Sequence, residues 1–277
     1  MASTKKGGLR VKFAWLVFIL ALALPLWFIA AALGSKYGHW GWQFGLGTMT
    51  IQLGPMLILG VGIAAVVSLV LGLVKSPRVK PFILSIAALI IVGLIFGRIA
   101  NMGSVSENVP PIHDVQTDWE DPIQFSEAIM TEREKVDGVN PVEDDPVIAE
   151  YAKSRWPDMA GRSVAEVQRE SYQPMNTYIA PAPPDVLYAA AYSSLADLGI
   201  EIITADEENY VLEGTYTSQW FGFKDDVAVR IRPKGEGSEM DVRSVSRVGL
   251  SDLGANAERV YAILEGVRAR IGTPPEE

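Results

Sequence analysis

The chain has 277 residues, 49% hydrophobic and 21% charged, with no cysteine and a formal charge of −9. Disulfides and cysteine-based metal or redox centres are thereby excluded, although the compartment is not revealed. Charge is segregated: residues 1–100 carry nine Lys and Arg and no Asp or Glu, whereas 101–277 carry fifteen basic and all 33 acidic residues, a balance of −18. Nothing in that balance would neutralise phosphates, which excludes nucleic-acid binding by the acidic part.

Three apolar runs occupy the first hundred residues, at about 13–33, 51–74 and 81–99. Roughly 20 apolar residues cross a hydrocarbon core of about 30 Å. Backbone groups there must satisfy one another, so each run is expected to be a membrane-spanning helix. Gly54, Gly60, Gly62 and Gly72 permit close helix–helix approach. Lys5, Lys6, Arg10 and Lys12 precede the first run; Lys75, Arg78 and Lys80 join the second to the third; the loop Gly34–Thr50 holds only Lys36. Basic short segments stay in the cytoplasm. This predicts a multi-pass bacterial inner-membrane protein with its amino terminus cytoplasmic and everything after Ile99 periplasmic. Tyr37, Trp40, Trp42 and Phe44 suit the outer headgroup layer. A cleaved signal peptide ending near Ala30-Ala31-Ala32 is the competing reading of the first run, which is longer than such a core usually is.

Residues 101–142 read as an extended acidic tether, interrupted by Pro110-Pro111 and Asp121-Pro122, and 143–277 as a compact α+β domain. Asp145-Pro146 predicts a helix start that ends before Pro157. Tyr172–Ile179 is a candidate strand. Asp185 predicts a helix cap, with Leu187, Ala191, Leu195 and Leu198 on one side and Gly199 as the stop. Two hairpins follow, 201–205 with 210–217 and 226–232 with 239–248. Val227, Val229 and Ile231 alternate with polar neighbours, as in a sheet with one buried face. Leu253, Ala257, Val260, Leu264, Val267 and Ile271 mark a final amphipathic helix behind a cap at Asp252. The order β-α-β-β-β-β-α predicts an antiparallel sheet with helices on one face. Thr273–Glu277 is expected to fray.

Candidate site residues fall in three groups. Asp225, Asp226, Arg230, Arg232, Asp241, Arg243 and Arg247 form the densest polar stretch, in which Arg230, Arg232, Asp241 and Arg243 share a sheet face. They read either as a structural ion-pair network on the outside of the sheet or as surplus guanidinium charge receiving a lipid headgroup or partner carboxylate. Trp220, Phe221 and Phe223 read either as core or as the rim of a pocket or membrane contact. His113, Asp114, Asp118, Glu120 and Asp121 superficially resemble a hard-cation ligand set, but one histidine and carboxylates in an acidic tether are usually just solvated, and no metal or cofactor is implied. His39 and His113 are the only histidines, and no nucleophile, phosphate-loop or zinc-helix motif is present. A carboxylate acid/base pair stays open because acidic residues are so many.

Pro110-Pro111-Ile112-His113-Asp114 with Thr117-Asp118, Gly222-Phe223-Lys224-Asp225-Asp226 leading into Arg230-Ile231-Arg232, and the segment Asp241 to Asn256 resemble the bacterial and organellar family called domain of unknown function 1499, over about 109–271. The resemblance implies no catalytic activity and carries no active-site residues. Some relatives are accessory subunits of respiratory complex I in protists, which implies a membrane-complex partner. The expected function is a non-catalytic, inner-membrane-anchored periplasmic domain, an accessory or interaction subunit of a membrane or respiratory complex. The alternatives are a module binding a lipid or other apolar ligand at the membrane surface, with an apolar cavity between sheet and terminal helix, and an enzyme using carboxylates.

Overall fold

A computed structural model describes residues 8–74 and 76–271. Lys5, Lys6, Lys75 and the tail Thr273–Glu277 lie outside the described residues. The chain divides into two compact units: the residues through Val105 together with Gln219–Gly222, and Ser106–Ser218 with Phe223 onward.

The first unit contains α1 (Leu9–Lys36), a π-helical segment (Gln43–Leu53) that continues into α2 (Gly54–Val74), and all but the last three residues of α3 (Val79–Asn108). All three helical runs are long and apolar enough to cross a membrane. The expected loop Gly34–Thr50 is much shorter, because helix already resumes at Gln43. Trp40 turns back over Gly34, where any Cβ would overlap its indole, and its Nε1 donates to Ala31 O at 3.2 Å. Arg10 Nη1 donates to Leu71 O at 3.1 Å, covering carbonyls that the end of α2 leaves open. Between α2 and α3, buried Ser85 donates to Ser68 at 2.8 Å. A Cβ on Gly72 would lie 3.1 Å from Pro81, and one on Gly54 would lie 2.8 Å from Phe28. Gly60 faces open space and has no such role.

The segment 101–142 does not run extended. Helix α3 continues to Asn108 and stops where Pro110 disfavours a helical Val109. Strand β1 (Asp114–Gln116) then joins the sheet, and α4 (Glu127–Glu134) follows. The helix expected from Asp145 is absent. Ile148 N donates to Arg162 O at 2.9 Å and Gly161 N to Ile148 O at 2.8 Å, so a bridge consumes the bonds a helix would need. Only a 3₁₀ turn, Glu150–Ser154, remains. Helix α5 (Val164–Ser171), unforeseen in the sequence, leads to the short strand β2 (Tyr178–Ala180).

From there the order agrees with expectation: α6 (Pro184–Asp197), β3 (Glu201–Asp206), β4 (Val211–Thr217), β5 (Lys224–Lys234), β6 (Gly237–Ser246) and α7 (Ala255–Ile271). Helix α6 starts at Pro184, leaving Asp185 in its first turn rather than at the cap. The β5–β6 turn is Gly235-Glu236, with Gly235 at φ +61°, as a two-residue hairpin requires. The sheet is antiparallel, in the order β1-β6-β5-β4-β3, with β2 also on β6. Val260, Ile263, Leu264 and Val267 of α7 and Leu187, Ala191 and Leu195 of α6 bury against Leu212, Val227, Val229, Ile231, Met240 and Val242. The opposite face is covered too: Ile123, Phe125 and Ile129 pack on Ala228 and Val245. The expected tether is therefore the second layer of the domain.

Candidate functional site

The second layer encloses most of the charged candidates. Asp226, wholly buried, accepts from Arg133 Nη1 at 2.7 Å, Arg247 Nη2 at 2.8 Å and Thr215 Oγ1 at 2.8 Å. Arg243, also 0% exposed, makes a fork to Asp114 (Nε 3.1 Å, Nη2 2.6 Å) and donates to the carbonyls of Ile123 and Glu143. Buried guanidinium groups persist only when paired and hydrogen-bonded. Arg243 meets the condition through Asp114, Ile123 and Glu143 of the covering segment, whereas Arg247 and Arg133, the latter itself part of that segment, meet it through Asp226 of β5.

Arg230 and Arg232 both reach Asp241, at 3.2 and 2.9 Å, and also Asp121, at 3.1 and 2.6 Å. Asp241 accepts from Thr117 and Thr177 as well. Asp225 points to the other sheet face and pairs with Arg259 of α7 at 2.7 Å, whose guanidinium stacks 4.4 Å from the Tyr216 ring centroid. Arg230, Arg232, Asp241 and Arg243 do share a face, yet the candidates form four separate arrangements rather than one site. Asp226 with Arg133 and Arg247, and Arg243 with Asp114, lie inside the domain, whereas Arg230, Arg232 and Asp121 stay partly exposed at its surface.

The cation-ligand set suggested by the acidic segment is spent differently. Asp114 pairs with Arg243, Asp118 accepts from the backbone of Glu120 and Asp121, and Asp121 serves Arg230 and Arg232. Among the described residues no group of three or more His, Asp or Glu is placed to hold a metal ion. Burial lowers the His113 pKa below the ordinary imidazole value, against a smaller opposing pull from Asp114. Asp252 caps α7, accepting from Gly254 N at 2.7 Å and Asn256 N at 2.9 Å, and burial pushes its carboxyl up to about 6.

Trp220 is 54% exposed at the tip of the β4–β5 connection, while Phe221 and Phe223 are half-buried. Ser218 N donates to Phe223 O and Phe223 N to Ser218 Oγ, both at 2.8 Å, which closes the tip with Gly222 at φ +71°. Arg133 and Gln168 were not singled out in the sequence, and Asp114 only as a cation ligand. Gln168 pairs its amide with the backbone N and O of Gln116 at 3.1 and 2.8 Å, closing the edge of β1. The one visible signal for Arg133 is a lone arginine in a short helix otherwise showing Ile129 and Met130 to the sheet.

Among solved structures, the chain is similar to TTHA0849 from Thermus thermophilus at 17% identity and a TM-score of 0.25, over 34% of this chain and 93% of that one. It is similar to Ara h 8.0201 at 15% identity and a TM-score of 0.27, over 35% and 94%. At those scores neither likeness carries an argument. No curated protein matches the chain. The model of the family described as Protein of unknown function (DUF1499) matches residues 114–267. That stretch runs from the first residue of β1 into the last turns of α7 and includes every buried ion pair described above; the chain belongs to the DUF1499 family.

Proposed function

We propose that this protein is a membrane-anchored, non-catalytic interaction module, acting as an accessory subunit of a membrane-embedded assembly. The reading rests on one observation: Asp114, Asp226, Arg133, Arg243 and Arg247 satisfy one another inside the domain. Pairing of this kind supports a structural role for these groups over a catalytic one. The segregation of basic and acidic residues supports an amino terminus in the cytoplasm and a domain in the periplasm of a bacterial inner membrane. A respiratory assembly is one partner of the right location. Extraction in a mild detergent, native electrophoresis and mass spectrometry of the band test the reading. Co-migration with defined membrane subunits is expected; migration alone under every extraction condition overturns it.

The exposed Trp220 favours a second mode, contact of the domain tip with membrane lipids, because an exposed indole suits the headgroup layer. An apolar ligand between sheet and α7 finds less support, since the side chains there are buried against one another.

A further inference from the structure

A cleft of about 660 Å³ opens beside the buried network, within the size range of small-ligand sites. Helix α4 supplies Glu127 and Thr131 to its wall, β3 supplies Glu201, β4 Thr215, β5 Lys224, and Arg247 stands just beyond β6. Charge distribution in the cleft is unusual in being both mixed and incompletely spent. Glu132, also on its rim, pairs with Lys135. Among the described residues, the side chains of Glu127, Glu201 and Lys224 have no ion pair or hydrogen bond.

Behind them, Arg247 and Arg133 share the single carboxylate of Asp226. Arg247 Nη2 is held by Asp226 and Thr215, whereas Nη1 reaches only the Glu132 carbonyl, at 3.4 Å. The cleft therefore presents two unspent carboxylates on the α4 and β3 side. On the β5–β6 side it presents an ammonium and the under-used edge of a 4% exposed guanidinium. A simple anion would meet Glu127 and Glu201; a simple cation would meet Lys224 and Arg247. Like-charge contacts of that kind oppose binding. A neutral dipolar ligand meets both ends favourably, and phosphate suits guanidinium, ammonium and threonine hydroxyl donors together.

We propose that this cleft binds a compact zwitterion, an ammonium joined to a phosphodiester, with the phosphate against Arg247 and Lys224 and the ammonium against Glu201 and Glu127. Glycerophosphoethanolamine has this form, whether free or as the headgroup of phosphatidylethanolamine. The inference goes beyond the interaction-module reading and does not rest on it.

The test uses the full chain in detergent, titrated calorimetrically with glycerophosphoethanolamine, glycerol phosphate and ethanolamine. Glycerophosphoethanolamine is expected to bind at least tenfold more tightly than either half. Lys224→Gln and Glu201→Gln, at exposed positions outside the buried network, are each expected to weaken it at least fivefold while melting with the wild type. A second arm compares melting in nanodiscs of phosphatidylethanolamine and of phosphatidylglycerol. Binding of the soluble compound with no difference between nanodiscs identifies a free ligand. Stabilisation by phosphatidylethanolamine alone, lost in both variants, identifies the lipid. If neither arm favours the zwitterion, or both variants behave as wild type, the proposal is overturned.

Discussion

Arg243 and Asp114 illustrate how a residue's neighbours reverse the meaning of its charge. Removing one partner of such a buried pair leaves an uncompensated ion, at a cost of about 3–5 kcal/mol. Arg243→Ala is therefore expected to lower the domain's melting transition severely or abolish it. Arg243→Met with Asp114→Leu, which removes both charges, is expected to restore much of that loss; circular-dichroism melts of the full chain in detergent would decide. Titration adds a second check. Asp252 has a folded-state pKa raised to about 6 against an ordinary 3.8, so the folded state holds the proton more tightly. Its contribution is complete below about pH 4 and is lost as pH rises through 6. His113, whose pKa is lowered, acts oppositely: its contribution is present above 6.5 and lost on acidification. Compared with wild type, Asp252→Asn is expected to flatten the decline in melting temperature between pH 4 and 6. His113→Gln is expected to lessen the decline on acidification below 6.5. Parallel curves for wild type and variants would refute both assignments. The polar stretch from Asp225 to Arg247 was legible in the sequence, as was the shared face of Arg230, Arg232, Asp241 and Arg243. Arg133 was not legible, because nothing within its own helix says that its partner lies 93 residues away in β5.

Among the elements, α6, β4, β5, β6 and α7 could be read from periodicity, since Leu187, Ala191 and Leu195, Leu212, Val227, Val229 and Ile231, Met240 and Val242, and Val260, Leu264 and Val267 recur at the spacing of a buried face. Helix α4 escaped that reading. Its eight residues are too few to show a period, and it is held by tertiary contacts: Glu213, buried on β4, accepts from Ser126 N at 2.6 Å and from Ser126 Oγ. Glu213→Ala leaves those donors unmet, at a cost of about 1–3 kcal/mol. Hydrogen exchange is expected to quicken across 126–134 and to remain unchanged in α7; uniform quickening of the domain would contradict this local role. In the helical unit, Ser68→Ala removes the Ser85 hydrogen bond, a bond of a kind averaging about 0.6 kcal/mol between membrane helices. Gly72→Leu must displace Pro81 and is expected to be far more damaging in detergent melts than Ser68→Ala.

For the whole molecule, the absence of cysteine makes topology directly measurable. Single cysteines at Arg78 and Asp158 are expected to report opposite sides of the membrane, Asp158→Cys alone reacting with an impermeant thiol reagent applied to spheroplasts. Labelling of Arg78→Cys instead would invert the proposed orientation. Hydropathy and the bias of basic residues are properties of contiguous sequence, so three spans and an acidic domain beyond them could be read without coordinates. So could the β-hairpins and α7, whose apolar spacing repeats over ten or more residues. The fate of 101–142 could not be read that way. Its acidic, proline-broken composition is that of a solvated linker, and only the fold shows Asp114 joining the sheet in β1 and Ile123, Phe125, Ile129 and Arg133 closing over it. Burying an ion depends on a counter-ion brought from elsewhere in the chain, and that encounter exists only once the sheet has formed.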